Sequence, residues 1–503
     1  MTPDLATIAR AFRDSLPDGD EISLVQLQAL DRTGIAVVQA NLLSPGKPVI
    51  TGHGYGFEPV VGEVGALGEL CEEVHCARWV ENNPGMVSSF DELVRTRGPR
   101  AAIDPLTLCL PAGIGYDGGT ALRWVQGRRW PSGEPVLVPD QWVASHDSDL
   151  PPGPRLITPI TNGLGAGLDL PHAIGHGIME LLQRDGNVIG YRALDQGVVI
   201  ALDAVADPAV RGLLDRLRAL GIAVTAKLAS TELGLTNLYV VGDDRGTPVS
   251  PLQVTACGEA AHPDRNRALR KALLEFCGSR ARKVGTHGDP DLLARVMPAD
   301  HVARQLAAVQ LDQEEPRALA AMVEWLDQDA AELRRRLDAT VFSQASTVAF
   351  SSLPDAPPAA VATAAARLEL LLARLGEQGM EPVVVDCSPP DGPVRAVKVV
   401  VPGLECETLS YGRIGWRGVE RLRARGDALL LDRPAAGARR VLLRPEDEAR
   451  AGGPAWLDLA RIQRIVGQLY PLYREPGCFS AQLARRRRGA GAGADPRTME
   501  TAS

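Results

Sequence analysis

The chain has 503 residues, enough for one large domain or two to four ordinary ones, and its 45% hydrophobic and 23% charged residues are those of a globular protein. A net charge of −8 and an aromatic content of 4% argue against a dedicated nucleic-acid binder, which concentrates positive charge and stacking rings. Eight scattered cysteines fit reduced thiols better than a disulfide frame or zinc ribbon; with no apolar signal core and no stretch approaching a membrane span, a cytoplasmic protein is expected.

Residues 1–20 read as a short polar helix ending at Pro17 and Gly19. From Ile22 to Ile50 the runs GIAVVQANLL and KPVI read as strands, and a helix is expected over about 63–81. TLCLP, LRWVQG and PVLVP are strand and turn text within 103–143, and LITPIT is strand-like. A glycine-rich loop, TNGLGAGLD, then feeds a helix that ends near Gly186. GVVIAL, IAVTAKLA and LYVVGDD read as strands around the helix LLDRLRAL, and a helix from His262 to Arg282 closes that block. Residues 290–345 are helical and charge-rich and are expected as an inserted or peripheral subdomain. STVAFS, a helix through Leu371, PVVVD and VRAVKVVVPGL follow, and 481–503 reads as a disordered basic, Gly/Ala-rich tail. The expected division is 1–20, 21–289, 290–345, 346–480 and 481–503, without internal repeats.

Two helices are unusually polar. In the loop-fed one, His172, His176 and Glu180 are four apart and share a face; Gln183 and Arg184 extend it, while Ile174, Ile178, Leu181 and Leu182 take the opposite side. Asp169 and Pro171 suit its start. In the earlier helix, GEVGALGELCEEVHCARW, an apolar stripe of Leu67, Leu70, Cys71 and Val74 opposes Glu69, Glu72, Glu73 and Cys76. Solvated faces would account for ELCEE. For the loop-fed helix a ligand wall is favoured, because bare glycine backbone lets a ligand come close. His172 and His176 with Glu180 form a workable transition-metal set. The GxGxG spacing departs from the dinucleotide fingerprint and lacks a βαβ frame.

ITNGLGAGLDLPHAIGHGIMELLQRDG resembles the signature of the YcaO superfamily, where NGLAAGNT-type text leads into a helix of the form HGLLELIERD. LDRTGIAVVQANL, VGALGELCEE, LRWVQGRRWPSGEPVLVPDQWV, GEAAHPDRNRALRKALLEFCGSR and VKVVVPGLE are similar to further family segments, collinear over about 24–410 apart from the helical insert. The resemblance implies an α/β (α+β) fold of mixed and antiparallel sheets, with two acidic helices flanking a pocket for ATP and Mg2+. It implies ATP-dependent phosphorylation of a peptide backbone amide oxygen, completed by a nucleophile to an azoline, thioamide or amidine in ribosomal peptide modification. Carried over by position, Glu69, Glu72 and Glu180 are the expected metal ligands; Arg184, Gln183, His172 and, more weakly, Arg280 join them as ATP/Mg2+ residues.

This chain departs from the family pattern at Leu168 (for Asn), His172 (for Glu), Gln183 (for Glu), Glu73 (for Arg) and Gly65 (for Ser). Imidazole is a poor magnesium ligand and an amide supplies no anionic oxygen. Three readings therefore stand, in this order: an active, divergent peptide-modifying enzyme; a pseudoenzyme scaffold that binds a peptide or partner; and a metal or other nucleotide site at His172, His176 and Glu180. The expected partners are a precursor peptide and a separate ThiF-like or TfuA-like protein, since the first twenty residues are too few for a leader-binding domain; a homodimer is a further expectation. The end ADPRTMETAS has none of the proline-rich character of some cyclodehydratases, which weakens the azoline outcome.

Overall fold

The computed structural model describes residues 4–44, 49–188, 194–246, 248, 250–405 and 409–492. Helix α1 (Leu5–Ser15) is capped by Asp4, whose carboxylate accepts the Thr7 N–H at 2.8 Å, and it buries Ala9 and Phe12 against the next helix. Strands β1 (Glu21–Gln26), β2 (Ala36–Leu43) and β3 (Ile50–Gly56) form an antiparallel sheet in that order. Helix α2 (Pro59–Asn82) lies on this sheet. A Cβ at Gly54 would stand 2.0 Å from the Gly62 carbonyl, and one at Gly52 would stand 2.3 Å from that of Ala66, so bare backbone sets the spacing.

The chain continues through β4 (Met86–Ser89), α3 (Phe90–Arg97), β5 (Ala121–Arg129), β6 (Pro135–Pro139), β7 (Leu164–Gly167) and α4 (Leu170–Asn187). Then come β8 (Val198–Ala201), α5 (Pro208–Ala219), β9 (Ile222–Ser230), β10 (Thr236–Asp244), β11 (Cys257–His262) and α6 (Arg265–His287). Four short helices, α7 (Pro290–Leu293), α8 (Ala299–Ala307), α9 (Pro316–Asp327) and α10 (Ala330–Asp338), precede β12 (Ser346–Ala349), α11 (Ala364–Glu377), β13 (Val383–Asp386) and β14 (Arg395–Val400). One sheet runs β11-β10-β9-β8-β12, antiparallel except for the β8–β12 pair. Another runs β4-β5-β13-β14-β7, with β6 beside β5. This is the mixed α/β architecture expected, with antiparallel and mixed sheets carrying the polar helices.

The structure corrects four local expectations. TNGLGAGLD is not loop throughout: Leu164–Gly167 is the buried strand β7, paired antiparallel with β14. TLCLP follows a 3-10 turn at Pro105–Thr107 and, like LITPIT, runs irregularly, their prolines having no N–H for a ladder. The 290–345 helices are not peripheral: Ala318, Trp325, Leu333, Leu337 and Val341 share one apolar core with Ile174 and Ile178 of α4. Within the expected tail, Ser480–Ala492 is a helix, fixed by buried Ala481 and by Arg485 on Asp327 (2.7 Å) and Arg486 on Asp291 (2.7 Å); residues 493–503 lie outside the described residues. Among the described residues seven cysteines are free thiols, Cys406 falls outside them, and no helix is long and apolar enough to cross a membrane.

Candidate functional site

Strand β3, strand β7 and the turn residue just before β7 present backbone N–H groups to three glutamates. Glu72 of α2 accepts the Ala166 N–H of β7 at 3.0 Å. Glu180 of α4 accepts the Gly163 N–H at 2.9 Å, and Glu69 of α2 accepts the His53 N–H of β3. Glycine makes this convergence possible. A Cβ at Gly165 would meet the Ala173 carbonyl at 2.1 Å, and Gly163 has φ 87° with a Cβ position 2.3 Å from the Val399 carbonyl. The bare backbone of TNGLGAG thus brings α4 down onto β7.

The resulting field is strongly anionic. Burial, followed by the Glu180 and Glu69 charges, raises Glu72 well above the ordinary carboxylate value. Burial, with Glu73 and Glu180 nearby, raises Glu69 to about 7. His176 stands 3.8 Å from Glu72, yet burial and the neighbouring Lys271 hold its imidazole down at about 3, so it is neutral and does not balance these carboxylates.

One turn further along α4, Arg184 contacts Glu180 at 3.2 Å, the Asn162 side-chain oxygen at 3.1 Å, and Glu259 of β11. Although burial opposes its charge, Glu259 and Glu180 hold the guanidinium above its ordinary value. Glu275 of α6 accepts the Tyr55 hydroxyl at 2.9 Å. Arg282 donates to both Glu475 carboxylate oxygens, at 2.8 and 2.9 Å. A polar cavity of about 440 Å³ opens among these groups, lined by Asn162, Arg184, Glu259, Glu275, Arg282 and His146. His146 lies 3.5 Å from Glu73, whose hydrogen bond raises the imidazole above 6.5.

The predicted residues divide. Glu69, Glu72, Glu180 and Arg184 are brought together. Arg280 is not: it is 1% exposed and ion-paired to Asp31 at 3.0 Å and Asp244 at 2.8 Å. Two residues of helix turn through about 200°, so Arg282 is the arginine of this helix that faces the cavity. Gln183 is buried, its carbonyl accepts Asn237 at 3.0 Å, and its side chain has no recorded contact with the carboxylates among the described residues. His172 lies two turns ahead of Glu180, its ring against Gly167. The geometry gives the transition-metal reading no support. Among the described residues no three His, Cys, Asp or Glu side chains are gathered closely enough to hold a metal by themselves.

The family profile described as YcaO cyclodehydratase, ATP- and Mg2+-binding, matches residues 53–405. The chain belongs to the YcaO family. An uncharacterized protein of Methanothermobacter thermautotrophicus is 25% identical over 413 residues, 81% of this chain and 96% of its own length. An uncharacterized protein in the tfuA 3′ region of Rhizobium leguminosarum bv. trifolii is 25% identical over 379 residues, 68% of this chain and 80% of its own. Among solved structures, a heterocyclase in complex with substrate and cofactor shares the fold at a TM-score of 0.59 and 16% identity, over 86% of this chain and 56% of that one. YcaO from Methanopyrus kandleri bound with AMPPCP and Mg2+ does so at 0.52 and 20% identity, over 80% and 90%.

Membership in an ATP- and Mg2+-binding family makes the fit of these residues testable. Magnesium paired with a polyphosphate takes only one or two protein carboxylates and keeps water and phosphate oxygens for the rest, so a preformed three-ligand cage is not required. Glu69, Glu72 and Glu180 fit this role: they repel one another, and a divalent cation would relieve that repulsion. Sequence reasoning about this YcaO chain missed Glu259, Glu275 and Arg282. Glu259 had a readable signal, a carboxylate inside the otherwise apolar strand CGEAAH, which requires a buried partner. Glu275 had another, since Arg267, Lys271 and Glu275 recur every four residues along α6.

Proposed function

We propose that this YcaO protein uses a magnesium nucleotide to activate a backbone amide of a ribosomally made peptide, for completion by a nucleophile to an azoline, thioamide or amidine. The observation that carries the reading is the mutually repelling set Glu69, Glu72 and Glu180 beside a polar cavity walled by Arg184 and Glu275. A nucleotide bound there supplies the phosphoryl group that turns an amide oxygen into a leaving group. The chain's own residues do the remainder. Glu69, Glu72 and Glu180 supply the one or two carboxylates that hold the cation. Arg184, kept in place by Glu180, Glu259 and Asn162, offers a fixed positive charge toward the cavity for developing phosphate charge. The cavity receives the peptide.

The Rhizobium relative named for the tfuA 3′ region supports a separate TfuA-like partner over a ThiF-like one. Calorimetry of the full chain with AMPPCP and Mg2+ tests the nucleotide step. Binding by the wild type and its loss by at least about a hundredfold in a folded Glu180→Ala chain is expected, for a residue serving both the cation and Arg184. Equal affinity in the two proteins would overturn the reading. Tight peptide binding with no nucleotide binding would favour the pseudoenzyme instead.

A further inference from the structure

Beyond the carboxylates, the same face of α4 meets a second group of charged residues. Three elements converge on its first two turns. Helix α11 comes so close that a Cβ on Gly175 would stand 4.0 Å from Leu368, which places Arg367 beside the histidines. Helix α6 follows β11 directly and lies along it, a Cβ at Gly258 meeting the Ala272 carbonyl at 2.1 Å. It brings Arg267 and Lys271, on the Glu275 stripe, to the same place as His262 at the end of β11. Arg267, Lys271 and Arg367 therefore surround His172, His176 and His262.

These cations are weakly matched. Among the described residues neither Lys271 nor Arg367 has a carboxylate oxygen within 4.0 Å, Glu275 and Asp169 acting on them from further off, and the Arg367 Nε is buried without a hydrogen-bond partner. The nearby carboxylates are already in use: Glu275, one turn on from Lys271, accepts the Tyr55 hydroxyl at 2.9 Å. Asp169 caps α4 through the His172 N–H at 2.7 Å; Asp264 caps α6 through the Asn266 N–H at 2.9 Å and lies 3.6 Å from Arg267. Histidine at 172 adds no anion to this end. An unsatisfied guanidinium N–H is costly, and it favours a ligand rich in anionic oxygens. The positive ends of α4 (18 residues) and α6 (23 residues) add to the same field.

Resting on the nucleotide reading above, we propose that Arg367 and Lys271, with His172, hold the phosphate chain directly. Polyphosphate binding then has a component that needs no divalent cation. The carboxylates serve the metal-bound part of the ligand and this cationic end serves its free oxygens.

The test is calorimetry of the full chain with inorganic tripolyphosphate in EDTA. The wild type is expected to bind. Arg367→Ala and Lys271→Ala should each weaken binding about tenfold, as for loss of one charge-assisted hydrogen bond. Arg367→Lys should recover part of the loss. Arg374→Ala, two turns along α11 beside Glu377, should change nothing. Circular dichroism confirms that each variant is folded. Absence of wild-type binding in EDTA, or equal binding by Arg367→Ala, overturns the proposal. If Mg2+–AMPPCP still binds and still depends on Glu180, only the cationic site has failed. Tripolyphosphate binding that depends on Arg367, without any Glu180-dependent nucleotide binding, upholds the cationic site and removes the reading it rests on.

Discussion

Helix α6 touches two groups of buried charge. At Arg280, one guanidinium sits between Asp31 and Asp244, also donates to the Gln253 carbonyl, and leaves each ion with an opposite neighbour. On the opposite face, Glu275 and Arg282 border a region where Glu69, Glu72 and Glu180 gather without enough cations. The first group is closed, so its charges maintain the fold. The second is open, and its excess charge is available to a ligand. Family resemblance singled out Arg280 from this helix; the arginine that lines the cavity is Arg282.

The largest expected effect tests the closed group. Arg280→Ala strands Asp31 and Asp244 in the core and should cost about 3–5 kcal/mol of stability in urea unfolding. Affinity for Mg2+–AMPPCP in the fraction that remains folded should be unchanged; a selective loss of affinity would return Arg280 to the site.

The open group should give a pH signature. Glu69 and Glu72 have folded-state values raised above the ordinary 4.5, so folding takes up protons there. The associated stability is present below 4.5 and is lost as pH rises through about 7, and further for Glu72. The melting temperature of the ligand-free chain should therefore fall over that window, and Glu72→Gln should flatten the slope by a few degrees. An identical slope in the variant would mean that Glu72 is not a site of stored repulsion.

The smallest effect concerns the pair Glu73–His146 at the cavity wall. Glu73→Gln should lower the His146 titration midpoint, followed by NMR of labelled histidine, with little change in melting temperature. An unmoved midpoint would show that Glu73 does not set the imidazole's basicity.

The polar stripe His172–His176–Glu180–Arg184 was legible because helical spacing is local, and the same holds for Glu69 and Glu72. Other parts were not. LGAG shows no alternation of apolar side chains, so β7 could not be recognised as a strand; its glycines answer to α4, met only in three dimensions. Helix α6 buries residues on several sides, including Arg280, Lys283 and His287, so periodicity could not decide between Arg280 and Arg282. Glu475, which pairs with Arg282, is 193 residues away in the chain.

From its amino acids alone the chain determined the family, the helices and the faces on which their glutamates and histidines stand, since each depends on neighbours within a few residues. The tertiary structure decided which charges are neutralised and which are left over. Coulombic balance depends on partners delivered by distant strands and helices, and that surplus separates a ligand site from a structural ion cluster.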